Sequence, residues 1–196
     1  MPPSIYLHVA LAKHVIGGCW IAFVLYWALN ARSLKPSAEG QSWLGILLHR
    51  TPTLLGGLLL LWPCLRPPLE LNLFPRTSAA GWLGVALCAL GLLAAIWSRQ
   101  TLGANWSSIV VFRAGHELVQ TGPYRFVRHP IYSSVLLMCL GSAVAIDRLG
   151  SWLGLPLLFA GFWIKLRQEE ALLTRHFPVE YPAYQARAKA LIPRLL

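Results

Sequence analysis

The sequence predicts an all-α integral membrane protein of about five transmembrane helices in a single domain, residues 1–196. Three observations predict it. The chain is 56% hydrophobic and only 12% charged, with a mean hydropathy of +0.55, whereas a soluble domain is about a quarter charged. Apolar runs long enough to cross a bilayer recur along it. Short stretches rich in Arg, Lys and Pro separate the runs, and nine tryptophans fit anchoring at the membrane–water interface.

The first apolar run covers residues 7–31, interrupted by Lys13 and His14, which are expected to reach outward to the interface, the alternative being that they line the bundle interior. The second covers 43–65. His49, Arg50 and Pro52 fall inside it, so it is expected to kink or tilt near one interface. The third covers 79–98, where Gly81, Gly84 and Gly91 permit close helix contact. Residues 99–129 are mixed and polar, too long for a plain connection. The fourth run, 130–146, gives only about 25 Å of helix at about 1.5 Å per residue. After the tight turn Asp147-Arg148, a fifth run from Leu149 to about Lys165 returns, which predicts a C-terminal helical hairpin. The fifth helix is expected to continue past the membrane, carrying Arg167, Glu169 and Glu170. On a helix, Glu170 points about 100° away from Glu169 and lies three residues from Arg167, with which it can pair. Pro178 and Pro182 are expected to break the tail before a short amphipathic helix near 184–191. Residues 1–98 thus form an N-terminal three-helix part and 99–196 the part that carries chemistry.

The net charge of +10 would suggest nucleic acid in a soluble protein. Here the positive-inside rule and attraction to anionic headgroups account for it, and no nucleic-acid partner is expected. With five spans, Arg99, Arg113, Arg125, Arg128, Lys165, Arg167, Arg175, Arg187, Lys189 and Arg194 share a side with Arg32 and Lys35, against Arg66, Arg76 and Arg148. The basic side and the C-terminus are therefore expected in the cytoplasm and the N-terminus outside, in a bacterial cytoplasmic or endoplasmic-reticulum membrane. The sequon Asn105-Trp106-Ser107 then faces the wrong side for glycosylation. Cys19, Cys64, Cys88 and Cys139 lie in or beside apolar runs without CxxC or Cys/His spacing, so neither a disulfide framework nor a metal site is expected. No cleaved signal peptide is expected.

Polar and backbone-shaping residues crowd into one stretch, HELVQTGPYRFVRHPIYSS, from His116 to Ser134. Gly122-Pro123 marks a turn. Pro130 suits a first helical position, where its missing N–H costs nothing. A helix start beside Arg128 and His129 suits an anionic group. A carboxylate such as Glu169 suits an ammonium, and Tyr124 and Tyr132 offer ring faces to a cation and hydroxyls to a ribose or carboxylate. Lys165 shares a helix face with Glu169. Taken alone, the Arg-His pair also reads as a headgroup-facing cluster, the tyrosines as an interfacial belt and Lys165 as a residue reaching to the headgroups.

The run GPYRFVRHPIY, followed by Glu169-Glu170, Phe177, Tyr181, Tyr184 and Ile192-Pro193, resembles the isoprenylcysteine carboxyl methyltransferase family of integral membrane enzymes. The resemblance covers residues 102–193. It implies S-adenosyl-L-methionine as methyl donor, with contacts at His116, Leu118, Val119, Tyr124, His129, Pro130, Tyr132 and Glu169; the residue chemistry adds Arg128. It also implies a substrate-facing arginine near the position held here by Lys165, the candidate catalytic residue. Lysine is a point charge rather than a bidentate fork. Ser134 stands where the family usually has Gly. The implied activity is methyl transfer to a lipophilic acceptor with a nucleophilic polar end, entering from the bilayer. The alternatives are an NADPH-dependent membrane reductase of related C-terminal architecture, a methyltransferase for phospholipids or small thiols, and a non-enzymatic membrane protein on the same scaffold.

Overall fold

The computed structural model describes residues 3–30, 37–39, 42–61, 71–75, 77–103, 112–113 and 118–196. His116, Cys64, the Asn105 sequon and the basic residues Arg32, Lys35, Arg66 and Arg76 lie outside the described residues. Among those described, the chain forms α1 (Pro3–Asn30), α2 (Trp43–Leu61), α3 (Ser78–Leu102), α4 (Pro130–Ile146), α5 (Leu149–His176) and α6 (Glu180–Arg187). It is an integral membrane fold built of helices. α1, α2, α3 and α5 are long and apolar enough to cross a membrane. α4, with 17 residues, spans about 25 Å against a hydrocarbon core of about 30 Å. One departure from a purely helical expectation is a short antiparallel pair, β1 (Ser37–Glu39) with β2 (Phe112–Arg113). It joins the segments that follow α1 and α3, whose ends adjoin: Arg99 Nη2 donates to the Asn30 carbonyl at 3.0 Å.

Local chemistry sets several helix ends. Thr77 caps α3 by accepting from the Ala80 N–H at 3.1 Å. Pro130 opens α4, and α5 runs well past Lys165, as its polar continuation predicts. Pro182 does not break the tail. It lies in the first turn of α6, where a proline forfeits no intrahelical hydrogen bond, so the helix begins before it rather than after it.

The hairpin expectation is corrected in its packing. α4 and α5 are joined by Asp147-Arg148, but α4 packs mainly on α3, and α5 mainly on α2. Small residues explain both seams. A Cβ on Gly91 would sit 2.7 Å from the Ser134 carbonyl oxygen, and one on Gly141 would sit 2.5 Å from that of Gly84. In the other seam, a Cβ on Gly154 would lie 2.6 Å from the Gly56 carbonyl, and one on Gly161 would lie 2.9 Å from that of His49. In lipid, where tails are as apolar as leucine, such backbone contact supplies much of the attraction between helices. The C-terminal helices are therefore keyed one by one to N-terminal helices.

The connecting turn is fixed from outside. Asp147 adopts a left-handed conformation, φ +45°. Its carboxylate accepts from the Phe74 N–H at 3.0 Å and from the Trp152 indole at 3.0 Å, and its carbonyl accepts from Asn72. This ties the α4–α5 turn to the segment before α3 at one end of the bundle. The opposite end gathers the C-termini of α1, α3 and α5 with the N-termini of α2 and α4, and there the polar residues converge.

Gly141→Leu should destabilise the protein by about 1–3 kcal/mol or more through overpacking of the α3–α4 seam. Gly57→Ala should be neutral or mildly stabilising, since a Cβ there meets nothing within 4 Å. Thermal unfolding of the detergent-solubilised variants checks the pair; equal behaviour would refute the seam.

Candidate active site at the start of the fourth helix

The site begins with a local backbone conflict. Pro130 starts α4 and disfavours helical geometry at the residue before it, and His129 accordingly has φ −124° and ψ 60°. The preceding segment leaves the helix direction and pairs with the tail. Val127 forms a parallel bridge with Lys189, and the N–H groups of Arg128 and His129 donate to the carbonyls of Lys189 at 2.8 Å and Ala190 at 3.0 Å. Ser133 Oγ donates to the Leu191 carbonyl at 2.6 Å. The tail is thus part of the site's wall.

Upstream, Gly122–Arg125 forms a 3-10 turn. Gly122 has φ +57° and lies against Thr101 at the end of α3, so glycine suits the position twice over. The turn buries Tyr124, whose carbonyl accepts from the Tyr184 hydroxyl at 2.5 Å. Leu118 packs on the cluster of Tyr181, Tyr184 and Ala188, and Val119 is half-buried beside it.

His129 is 8% exposed and sits between two carboxylates. Its Nδ1 lies 3.5 Å from Glu169 Oε2 and its Nε2 3.3 Å from Glu170 Oε1. Burial works against the imidazolium, but hydrogen bonding and attraction from Glu169 and Glu170 outweigh it and hold the His129 pKa above its ordinary value. Burial likewise raises the Tyr124 phenol, with Glu169 adding to the effect.

The two carboxylates have different work. Glu170 is buried at 4% exposure. It receives Arg128 through Nε at 2.8 Å and Nη2 at 2.7 Å, while Arg128 Nη1 donates to the Ala188 carbonyl. The pairing with Arg167 expected from sequence is present at 3.9 Å, but Arg167 is largely exposed and contributes little. Glu169 instead faces Tyr132, whose hydroxyl donates to it at 2.6 Å, and Lys165, whose ammonium lies 3.9 Å away. That ammonium is also 5.3 Å from the centroid of the Tyr132 ring, within cation–π range. The Tyr132 ring stacks between His129 and Phe162, with centroids at 5.5 and 5.2 Å.

The structure therefore gathers Arg128, His129, Pro130, Tyr132, Lys165 and Glu169, with Tyr124, Leu118 and Val119 in the adjoining wall. Glu170 was underrated by the sequence reading. Its partner Arg128 is largely buried, and a buried arginine requires a carboxylate, but only the folded chain shows that burial. Phe162 and the tail carbonyls carried no distinguishing signal. Among the described residues, no group of His, Cys, Asp and Glu is arranged to hold a metal.

Removing one partner of a buried ion pair leaves the other charge uncompensated. Glu170→Ala and Arg128→Ala should each cost about 3–5 kcal/mol of stability, whereas Glu169→Ala should cost clearly less. Denaturant unfolding of the three variants checks this; equal losses for Glu169 and Glu170 would contradict the division of labour.

A family model described as phospholipid methyltransferase matches residues 79–180, just over half of the chain. The nickel-cobalt-cadmium resistance protein NccN of Alcaligenes xylosoxydans xylosoxydans is 34% identical over 116 residues, 58% of this chain and 53% of that protein. The protein-S-isoprenylcysteine O-methyltransferase of Saccharomyces cerevisiae is 30% identical over 114 residues, 57% of this chain and 48% of that protein. A solved structure of the eukaryotic intramembrane Ras methyltransferase ICMT aligns with 28% identity and a TM-score of 0.49, covering 60% of this chain and 46% of its own. The chain spans about half the length of these curated relatives. The resemblance read in GPYRFVRHPIY and the Glu and Tyr residues after it is borne out, and the chain belongs to the phospholipid methyltransferase family.

Proposed function

We propose that this protein is an S-adenosyl-L-methionine-dependent methyltransferase for a lipophilic acceptor with a prenylcysteine-carboxylate-like polar end. The observation that carries the reading is the charge arrangement around His129. Arg128 and Glu170 compensate each other at 2.7 Å, which leaves the His129 imidazole, Lys165 and Glu169 around the Tyr132 ring. Such a set fits a zwitterionic amino acid end. Glu169 would take the ammonium. The N–H groups at the start of α4, with His129 beside them, would take the carboxylate. Tyr124 and Tyr132 would border the rest of the donor, with Leu118 and Val119 supplying apolar wall and His116 an expected further contact.

The donor supplies an electrophilic methyl group: its carbon–sulfur bond breaks as the acceptor's oxygen– or sulfur–carbon bond forms, and the sulfonium becomes a neutral thioether. A carboxylate or thiolate acceptor needs no general base. The chain's own contribution is alignment and exclusion of water from the nucleophile. Lys165 is the residue we assign to the acceptor's anionic end. It stands on the same face of α5 as Glu169, next to the donor seat, and replaces the arginine that the resemblance implies. The apolar surfaces of α4 and α5 below it offer the acceptor's tail a path from the bilayer. Membership in a methyltransferase family favours this reading over a reductase. The relative named for nickel, cobalt and cadmium resistance does not alter it, because nothing in the His129 cluster requires a metal.

The same reading places α4 as a fifth span, shortened or set in a locally thinned bilayer, with the site at the cytoplasmic face. A cysteine introduced at position 115 should be labelled by an impermeant thiol reagent only after cells are opened; labelling of sealed cells would overturn the topology.

Glu169→Ala should weaken S-adenosyl-L-methionine binding by about tenfold or more, the worth of one charged hydrogen bond. Lys165→Ala should change acceptor KM or kcat while leaving donor affinity nearly intact. Calorimetry with the donor and transfer of tritiated methyl to prenylated cysteines, phospholipids and fatty acids check both. A purified, folded protein that binds no donor would defeat the proposal.

A further inference from the structure

α2 lies outside the stretch matched by the family model, which begins at residue 79, yet it brings one buried polar side chain to the site's flank. His49 is 3% exposed. Its Nδ1 lies 2.9 Å from the Gly45 carbonyl and 3.2 Å from the Gln168 side-chain oxygen. Both partners are acceptors, so Nδ1 carries the proton. Gln168 Nε2 returns a hydrogen bond to the same Gly45 carbonyl at 3.3 Å, closing a small ring of polar bonds between two membrane helices.

The ring stands where the seam is tightest. Gly161 backs onto the His49 carbonyl and Thr53, and Thr53 Oγ1 donates to the His49 carbonyl at 2.7 Å. Gln168 precedes Glu169 in sequence and lies three residues after Lys165, so it is on the turn of α5 that carries both. The charge of Lys165 also acts on the His49 ring. A polar side chain buried in a membrane seam is costly. Packing alone would be served as well by leucine. A bond that fixes how α5 is rotated gives the histidine a reason to be there.

We propose that His49 is a positioning residue of the active centre: its Nδ1–H, shared between Gly45 and Gln168, fixes the last turns of α5 and so holds Lys165 over the Tyr132 ring beside Glu169. This rests on the assignment of Lys165 to the acceptor. It makes the α2–α5 seam, whose α2 side lies outside the family match, the place where this chain sets its acceptor geometry. Glu169 shares that turn, but the Tyr132 hydroxyl at 2.6 Å and the His129 ring at 3.5 Å hold it from α4, so the donor seat should lose less than Lys165 does.

The test compares His49→Leu, which removes the N–H, with His49→Asn, which keeps a donor at the Nδ1 position. The full chain is studied in nanodiscs, with lysines reductively methylated with carbon-13 and the Lys165 signal identified by Lys165→Arg. In the unsubstituted chain the Lys165 methyl resonance should show an upfield ring-current shift from Tyr132. His49→Leu should abolish that shift and His49→Asn should retain it. With N-acetyl-S-farnesyl-L-cysteine as acceptor probe, His49→Leu should raise KM by about tenfold, the upper worth of one hydrogen bond. Binding of S-adenosylhomocysteine should stay within about threefold. If His49→Leu does not fold, Gln168→Leu removes the same bond and reads the same quantities. An unchanged Lys165 shift in the folded variant, or equal losses for acceptor and S-adenosylhomocysteine, would overturn the proposal. If the unsubstituted chain transfers no methyl group to any acceptor, the enzymatic reading fails, while the resonance still decides the role of His49.

Discussion

Two consecutive carboxylates near the end of a membrane helix are an expensive feature, and the rest of this structure depends on how they are compensated. Glu169 and Glu170 diverge by about 100° around α5. His129 stands in the wedge between them, with one ring nitrogen toward each. The histidine lies just outside the helix, in a backbone conformation that departs from helical, as Pro130 favours for the residue before it. Arg128 then compensates Glu170, and the tail carbonyls take the N–H groups that the departure from helix leaves over. One proline thus links helix start, ion pair and tail.

Much of this was legible in the sequence. The start of α4 at Pro130, its end at the Asp147 turn and the long continuation of α5 follow from apolar periodicity, proline chemistry and charge. The RHP motif and Glu169 declared themselves as a pair of complementary charges. What was not legible depends on which helix lies beside which. The glycines of α3 signalled close contact but not its partner, because Gly84 fits any small-residue groove and only the folded chain sets it against Gly141. For the same reason the α4–α5 turn suggested a packed hairpin, whereas each helix found a better seam elsewhere. The roles of Glu169 and Glu170 could not be divided without knowing that Arg128 sits 2.7 Å from the second. Leu118 and Val119 entered through family resemblance alone; an apolar residue carries no chemical mark of a binding wall.

The architecture separates what must be rigid from what must be accessible. Glu170, Arg128 and the tail form a closed, buried unit whose loss should be felt as stability. Glu169, Tyr132 and Lys165 form a more open unit whose loss should be felt as binding. The two share His129, so charge on the open side is never far from compensation on the closed one. The bilayer contributes as well. Backbone-to-backbone seams hold α3 to α4 and α2 to α5, while α1 leaves many large apolar side chains to the lipid.

A methyl donor bound as proposed sits at the His129–Glu169 end of the bundle, between the start of α4 and the end of α5. Photoaffinity labelling with an azido-adenosyl analogue of S-adenosyl-L-methionine, followed by peptide mapping, tests it most directly. Adducts are expected within residues 118–132 or on the last turns of α5, suppressed by excess S-adenosylhomocysteine. Competed labelling at the Asp147 end, or specific binding with no adduct in either segment, would contradict it.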